Sequence, residues 1–384
     1  MKDKKLIFFD TETTGLEKID RICEVALSYK YKYKYRYGNF NLPKKRYILE
    51  KLVKPPVSIT PEAAMTTGIT NEIVKDKELF KNTKEYKKIK TLLNEDNIYF
   101  IAYNAPFDQN MFYKEGLKIP KHKIIDLYRV MKHLYNGATK INRNGEKEPL
   151  ANNKLQYFRY LLEFDKHEDF QLLVKDYGLN KIQAHTALSD IIVLEYLFYF
   201  IIKKFKLSFQ DILNLSSSLV LEKNITFGNV FEKGKDFNSC FSETYIQYGK
   251  EKKGYEYLDW CSNNLNLSVD IEYSLKIYFF RNIINGNIEY KPKYLKYINF
   301  AICFEKNKEI IKKAINLLKE EGIISKDTSI NEHENYLKNK FIEKLKKEKE
   351  EKKDLELGEK YPTILMLEIL SKEIDKNINV KEGV

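Results

Sequence analysis

The strongest constraint on this chain lies near its start. An apolar run, Leu6-Ile7-Phe8-Phe9, leads at once into Asp10, Glu12, Thr13, Thr14, Gly15 and Leu16, the segment FDTETTGL. Such a run specifies a buried strand, and residues two apart in a strand share a face. Asp10 and Glu12 therefore leave one face of a strand whose neighbours belong in a core. Two carboxylates there are costly unless a cation or hydrogen bonds compensate them. Carboxylate oxygens suit hard divalent ions such as Mg2+ or Mn2+. A bare D-x-E is common on surface strands, whereas D-x-E-T-T-G closing an apolar strand is far more specific.

Two further segments carry related chemistry. Residues 98–103 read as a strand running into YNAPFDQN, so Asn104, Phe107 and Asp108 lie where strand gives way to helix. A carboxylate at that mouth of a mixed sheet can join a site built on other strands; taken alone, Asp108 suits a helix N-terminus. Farther on, HTALSD sets His185 five residues before Asp190. Ser189 or Asp190 serves as the cap of an apolar helix over 189–204. The functional reading instead has Asp190 as a metal ligand and His185 as a base above the metal, histidine being the side chain suited to proton abstraction near neutral pH.

The rest of the chain frames these motifs. Residues 21–37 read as a long strand with Cys23, Val25, Leu27, Tyr29, Tyr31, Tyr33, Tyr35 and Tyr37 on one face. Lys30, Lys32, Lys34 and Arg36 fall on the other, and a strand at 47–53 completes an antiparallel hairpin. Helices are expected at 61–65, 83–93, 106–115, up to 133, 154–163 and 189–204, with a short strand at 123–126 and an exposed loop at 136–153. Three strands followed by alternating helix and strand predict an α/β mixed sheet covered by helices, closing near residue 205. Beyond it, 226–260 is rich in Gly and aromatics, 309–321 is an amphipathic helix, and 336–356 reads as a solvated charged helix with Glu343–Lys347 and Glu348–Lys352 at ion-pair spacing. Gln210 to Leu215 is loosely like a sliding-clamp peptide, but Ser208 and Asp211 read as the start of an ordinary helix.

Composition narrows the class without choosing a ligand. The 384 residues suit two domains or more, and 67 Lys and Arg against 55 Asp and Glu give a net charge of +12. That balance favours polyanions, nucleic acid before anionic membrane. Nearly all of it is lysine, in a chain crowded with Ile, Asn, Tyr and Phe as an AT-rich genome would make it. Four scattered cysteines without a CxxC pair exclude a disulfide scaffold and the usual zinc fingers. The opening apolar run ends in an acid with no cleavage site after it, and the longest apolar stretch, 191–202, contains Glu195 and is too short to span a bilayer. A cytoplasmic protein without a membrane partner is expected.

Taken in this order, the three motifs resemble the DnaQ-like 3′–5′ exonucleases of the DEDDh subclass. The family's first motif matches Asp10 and Glu12, its second Asp108, and its third His185 and Asp190. ITPEAAMTTGITNEIV is similar to the family's connecting region. The resemblance spans about residues 4–205; Tyr103 stands where many members have His. It implies a ribonuclease H-like fold, a mixed five-stranded sheet flanked by helices, with a C-terminal extension. The implied layout is 1–205 for the exonuclease domain, 206–265 for a small Gly/aromatic module and 266–384 for a Lys-rich helical region.

The implied reaction is release of nucleoside 5′-monophosphates from a DNA 3′ end, in repair or proofreading, with two divalent cations, Mg2+ or Mn2+. Asp10 would serve both ions, Glu12 and Asp190 the first and Asp108 the second, with His185 as general base. Thr13 and Leu16 would contact the terminal nucleotide and Phe107 a base or sugar, although Leu16 and Phe107 equally suit a core. DNA is the implied partner, with a replication or repair protein as a further one. Trimming of RNA or short oligonucleotides is the alternative within the same chemistry, and a non-catalytic nucleic-acid-binding module the alternative of another class. The 226–260 stretch is similar to a small module of exonuclease X-like proteins, but Asn229 follows Phe227 and Gly228, and the spacing to Tyr257, Leu258 and Trp260 is stretched. Its aromatics and lysines suit base stacking and phosphate binding, or a small aromatic core.

Overall fold

In the computed structural model, which describes residues 4–30, 46–305, 307–351, 366 and 370, the opening apolar run is strand β1, Lys5–Thr13. β1 is the middle of a five-stranded sheet with β2 (Ile22–Lys30), β3 (Arg46–Leu52), β4 (Ile98–Ala102) and β5 (Ile124–Asp126), in spatial order β3-β2-β1-β4-β5. β2 is antiparallel to both β1 and β3, whereas β4 and β5 run parallel to β1. Helices α1 (Pro61–Thr67), α2 (Asn71–Val74) and α3 (Lys84–Leu93) link β3 to β4, and α4 (Ala105–Lys114) links β4 to β5. α5 (Leu127–Leu134), α6 (Leu155–Leu161), α7 (Glu168–Asp176), α8 (Ala187–Phe205) and α9 (Phe209–Ser217) follow. This is the mixed, helix-flanked sheet of a ribonuclease H-like fold.

Alternation along β1 divides its side chains between two cores. Ile7 and Phe9 join Val25, Leu27, Tyr29, Phe100 and Phe112 beneath α3 and α4. Phe8 points the other way, meeting Phe198 and Tyr199 of α8 edge-on with centroids 5.6 and 6.0 Å apart. In β2 the expected period of two holds for buried Cys23, Val25, Leu27 and Tyr29. The opposite face is buried as well, through Glu24, Ala26 and Ser28, because α8 lies over it. The remainder of the expected Tyr-Lys hairpin, including Lys32, Lys34 and Arg36, lies outside the described residues.

Several expectations need correction. α8 begins at Ala187, and its cap is Thr186, whose side chain accepts from Ser189 N; Ser189 and Asp190 lie inside the first turn. α7 was not expected between 163 and 189. The loop expected at 136–153 contains a hairpin of β6 (Thr139–Ile141) and β7 (Lys147–Pro149), closed by the Asn142 side chain accepting from Asn144 N and Glu146 N, both at 2.9 Å. Ser208 and Asp211 cap α9 reciprocally at 2.7 and 3.1 Å, and Ile212 is buried, so Gln210 to Leu215 forms an ordinary packed helix.

The chain divides into two compact units. Met1–Leu134 joins Asn152–Ser217 in the first, and Tyr135–Ala151 joins Ser218–Leu355 in the second. The second contains α10 (Ser239–Ser242), β8 (Thr244–Gln247), β9 (Lys250–Lys253), α11 (Gly254–Asn264), α12 (Val269–Ile284), α13 (Leu295–Phe304), α14 (Lys308–Glu320) and α15 (Ile330–Glu351). Asn136 ties the inserted hairpin to this unit, donating to Leu221 O (2.6 Å) and accepting from Lys223 N (3.0 Å).

The Gly/aromatic stretch packs as a core: Phe231, Phe237, Phe241 and Tyr257 are buried together. Tyr257 Oη accepts from Asn229 N at 2.9 Å, and Gly228, at φ +74°, leaves no room there for a side chain: a Cβ would sit 2.3 Å from that oxygen. α15 is not wholly solvated. Glu334 and Lys338 pair at 2.9 Å beneath its surface, beside buried Leu337, Ile342 and Leu345. All four cysteines are buried and free, and no helix among the described residues is long and apolar enough to cross a membrane.

Candidate active site

Because Phe8 faces α8, so do Asp10 and Glu12, and the first turn of α8 delivers Asp190 to the same place. One carboxylate oxygen from each of the three lies within 4.8 Å of the others. Burial pushes Asp10 well above the usual carboxylate range, reinforced by Asp108, Asp190, Glu12 and Glu24. Glu12 is pushed up to about 8, again by burial first and then by Asp190, Glu24 and Asp108. Desolvated like charges at this spacing cannot all ionise without a counter-charge. An all-oxygen donor set of this kind fits a hard divalent cation.

Asp108 approaches from α4 without joining that group of three. Its Oδ1 accepts from Thr11 N (3.0 Å) and Thr11 Oγ1 (2.7 Å), and only 2% of the residue is exposed. Burial outweighs those bonds and raises its carboxyl to about 7. The turn that launches α4 depends on Asn104 in the left-handed region, at φ 64°. Asp126, at the end of β5, braces that turn by accepting from Asn104 N and Tyr128 N, each at 3.1 Å.

His185 is exposed on the loop before α8, in the left-handed region at φ 61°. For a side chain with a Cβ that conformation is uncommon. Burial raises the Asp190 carboxyl, and the Gln156 amide and nearby His185 draw it back toward the charged form. Thr13 is buried and donates from Oγ1 to Gly15 O at 2.8 Å. The loop beyond it closes on Asp20, which accepts from Thr14 Oγ1 and Glu17 N, both at 2.6 Å. Gly15 is required beside that carboxylate, since a Cβ would stand 2.5 Å from Asp20 Oδ2. Leu16 is 85% exposed on this clamped loop, so the core alternative does not hold for it. Phe107 is half-buried against the core under α4.

Four supporting residues were not singled out from the sequence. Glu24 sits opposite Glu12 in the β1–β2 register and accepts from Ala187 N at 2.8 Å, tying the start of α8 to the sheet. Gln156 donates from Nε2 to Asp190 Oδ1 at 2.5 Å, and Arg159 donates to Gln156 Oε1 at 3.3 Å, which orients the amide. Asp20 and Asp126 shape the two loops. A polar residue on an otherwise buried strand face was the signal available for Glu24; for Gln156 there was none.

The RNase_T exonuclease family model matches residues 7–198. Among curated proteins none matches. Exonuclease X in complex with 5′ overhanging duplex DNA is similar at 18% identity and a TM-score of 0.37, over 55% of this chain and 99% of that one. Exonuclease I of E. coli in complex with a dT13 oligonucleotide is similar at 20% identity and a TM-score of 0.36, over 52% of this chain and 41% of that one. For cell-death related nuclease 4 (CRN-4) the values are 18%, 0.34, 53% and 64%.

Proposed function

The chain belongs to the RNase_T exonuclease family, and from that premise we propose that it hydrolyses DNA stepwise from the 3′ end, releasing nucleoside 5′-monophosphates. The observation that carries this reading is the convergence of Asp10, Glu12 and Asp190 from two separate motifs onto one point. Divalent ions, Mg2+ or Mn2+, held there with Asp108 alongside, would supply positive charge to the scissile phosphate and the departing 3′ oxygen. Each protein group then has a definite task. Gln156 fixes the Asp190 carboxylate. The exposed His185 imidazole takes the proton of the water attacking in line. Thr13 and Leu16 meet the terminal nucleotide, the exposure of Leu16 leaving its apolar surface open to a sugar or base. Phe107 lends a ring edge to the nucleotide behind. Repair or proofreading in the cytoplasm is the role implied.

The test uses matched single-stranded DNA, duplex DNA and RNA, each labelled at the 5′ end. Chelation should abolish turnover, and Mg2+ or Mn2+ should restore a ladder shortening from the 3′ end. Asp10→Ala should lower the rate by roughly 10^2–10^3-fold or more. Unchanged turnover in that variant would point to a binding module, and far faster loss of RNA would refute DNA as the substrate.

A further inference from the structure

Helix α3 carries a row of cations with no counter-charge among the described residues. Lys84, Lys87 and Lys90 are exposed and Lys88 half-exposed. The acid within the helix, Glu85, is 5% exposed and lies on the inward side with Ile89 and Leu92. Helical spacing sets Lys84, Lys87 and Lys88 on one face, with Lys90 at its flank. Among the described residues no carboxylate pairs with these four, whereas nearby Lys51 pairs with Glu78 (3.1 Å) and Lys75 with Glu72. Like charges three and four apart weaken a helix. Folding alone therefore gives no reason for the row, and a polyanion does.

Resting on the exonuclease reading above, we propose that the solvent face of α3 is a second nucleic-acid contact, gripping the phosphate backbone of the substrate away from the scissile bond. From Lys84 to Lys90 the helix rises about 9 Å, against about 3.4 Å of duplex axis per phosphate of one strand. The row thus matches about three successive phosphates. Its amino end is tied to the catalytic loop. Tyr86, in its first turn, donates from Oη to Glu115 O (3.1 Å) at the end of α4, and Lys114 there donates to Glu17 O (3.2 Å) and Asp20 O (3.3 Å) of the clamped loop. At the other end α3 passes through residues 94–97 into β4. The row therefore leads away from the loop after the first motif along the flank of the sheet.

The experiment replaces Lys84, Lys87 and Lys88 together by Gln in the full chain, with a Lys→Arg triple as the charge-retaining control. Binding of a fluorescent single-stranded oligonucleotide, with Ca2+ in place of Mg2+, is followed across a salt series. The slope of log affinity against log salt should fall by about 2 in the Gln variant, at about 0.7 per lost phosphate contact, and stay unchanged in the Arg variant. With Mg2+, KM for a long oligonucleotide should rise roughly tenfold or more while turnover of a dinucleotide keeps its wild-type rate. An unchanged slope overturns the proposal. So does loss of binding to phosphatidylserine vesicles with the oligonucleotide slope intact, which would make the face a membrane contact. A wild-type chain that turns over neither substrate refutes the exonuclease reading instead, and the binding slope still judges the α3 face by itself.

Discussion

Glu24 offers the sharpest test of how the site is held. It is buried between Glu12 and the start of α8, and its Oε2 takes the N–H of Ala187 at 2.8 Å. Ala187 is the first residue of α8, so this N–H belongs to the set no intrahelical carbonyl can satisfy. Glu24→Ala leaves it buried and unpaired, a loss of about 2 kcal/mol with the charge-assisted bond included. For a unit of this size that corresponds to a fall of about 4–8 °C in Tm. The loosened turn carries His185 and Asp190, so kcat should fall by roughly 10–100-fold, the usual effect of removing a partner that orients a metal ligand. Glu24→Gln keeps an acceptor oxygen and removes a charge that raises both Asp10 and Glu12. It should retain most of kcat and raise the metal-free Tm. Thermal unfolding with and without Mn2+, paired with steady-state kinetics, reads both quantities. Equal losses in the Ala and Gln variants would refute the hydrogen-bond argument, because charge rather than the Ala187 contact would then be what Glu24 supplies.

The raised carboxyls of Asp10, Glu12 and Asp108, the last two at about 8 and about 7, make stability depend on pH. The folded chain holds protons that the unfolded chain releases near pH 4, so the stability present at low pH is lost as pH rises through 7 and 8. The Tm of chelated protein should fall over that span and recover with Mn2+; a flat profile in differential scanning fluorimetry counts against a desolvated cluster. Arg46 forms a buried pair with Glu195, and Tyr177 donates to the same carboxylate at 2.5 Å. Arg46→Met should cost about 3–5 kcal/mol in urea unfolding, and adding Glu195→Leu should recover most of it; additive losses would contradict that coupling.

Much of the site was legible because short-range rules set it. Four bulky apolar residues fixed β1, its period of two aimed Asp10 and Glu12 at one face, and the apolar run after Asp190 announced α8. The boundaries were harder. HTALSD offers three capping side chains, and Thr186 wins because its backbone is extended there while Ser189 and Asp190 are already helical. α7 carried a readable signal, Phe170, Leu173, Val174 and Tyr177 at i, i+3, i+4 and i+7, which the preceding polar loop obscured. β6 and β7, TKI and KEP, have no alternation to read and are held by the Asn142 turn. Glu24 and Gln156 matter through partners far along the chain, Ala187 and Asp190, and no local pattern encodes that.

The hairpin of β6 and β7 interrupts the first unit in sequence yet folds with the second. On the ribosome this imposes a delay. The Tyr135–Ala151 segment emerges well before its partners, which extend to Gly234, whose carbonyl holds Asn224 and where a Cβ would press on Pro149. Roughly 80 residues must be added in between, about 4–16 s of synthesis at ordinary elongation rates. Throughout that interval a nascent sheet can form around β1 while a stretch within it waits for partners. Cutting the chain after Ser217 would make that wait permanent, so the two units share a history of synthesis.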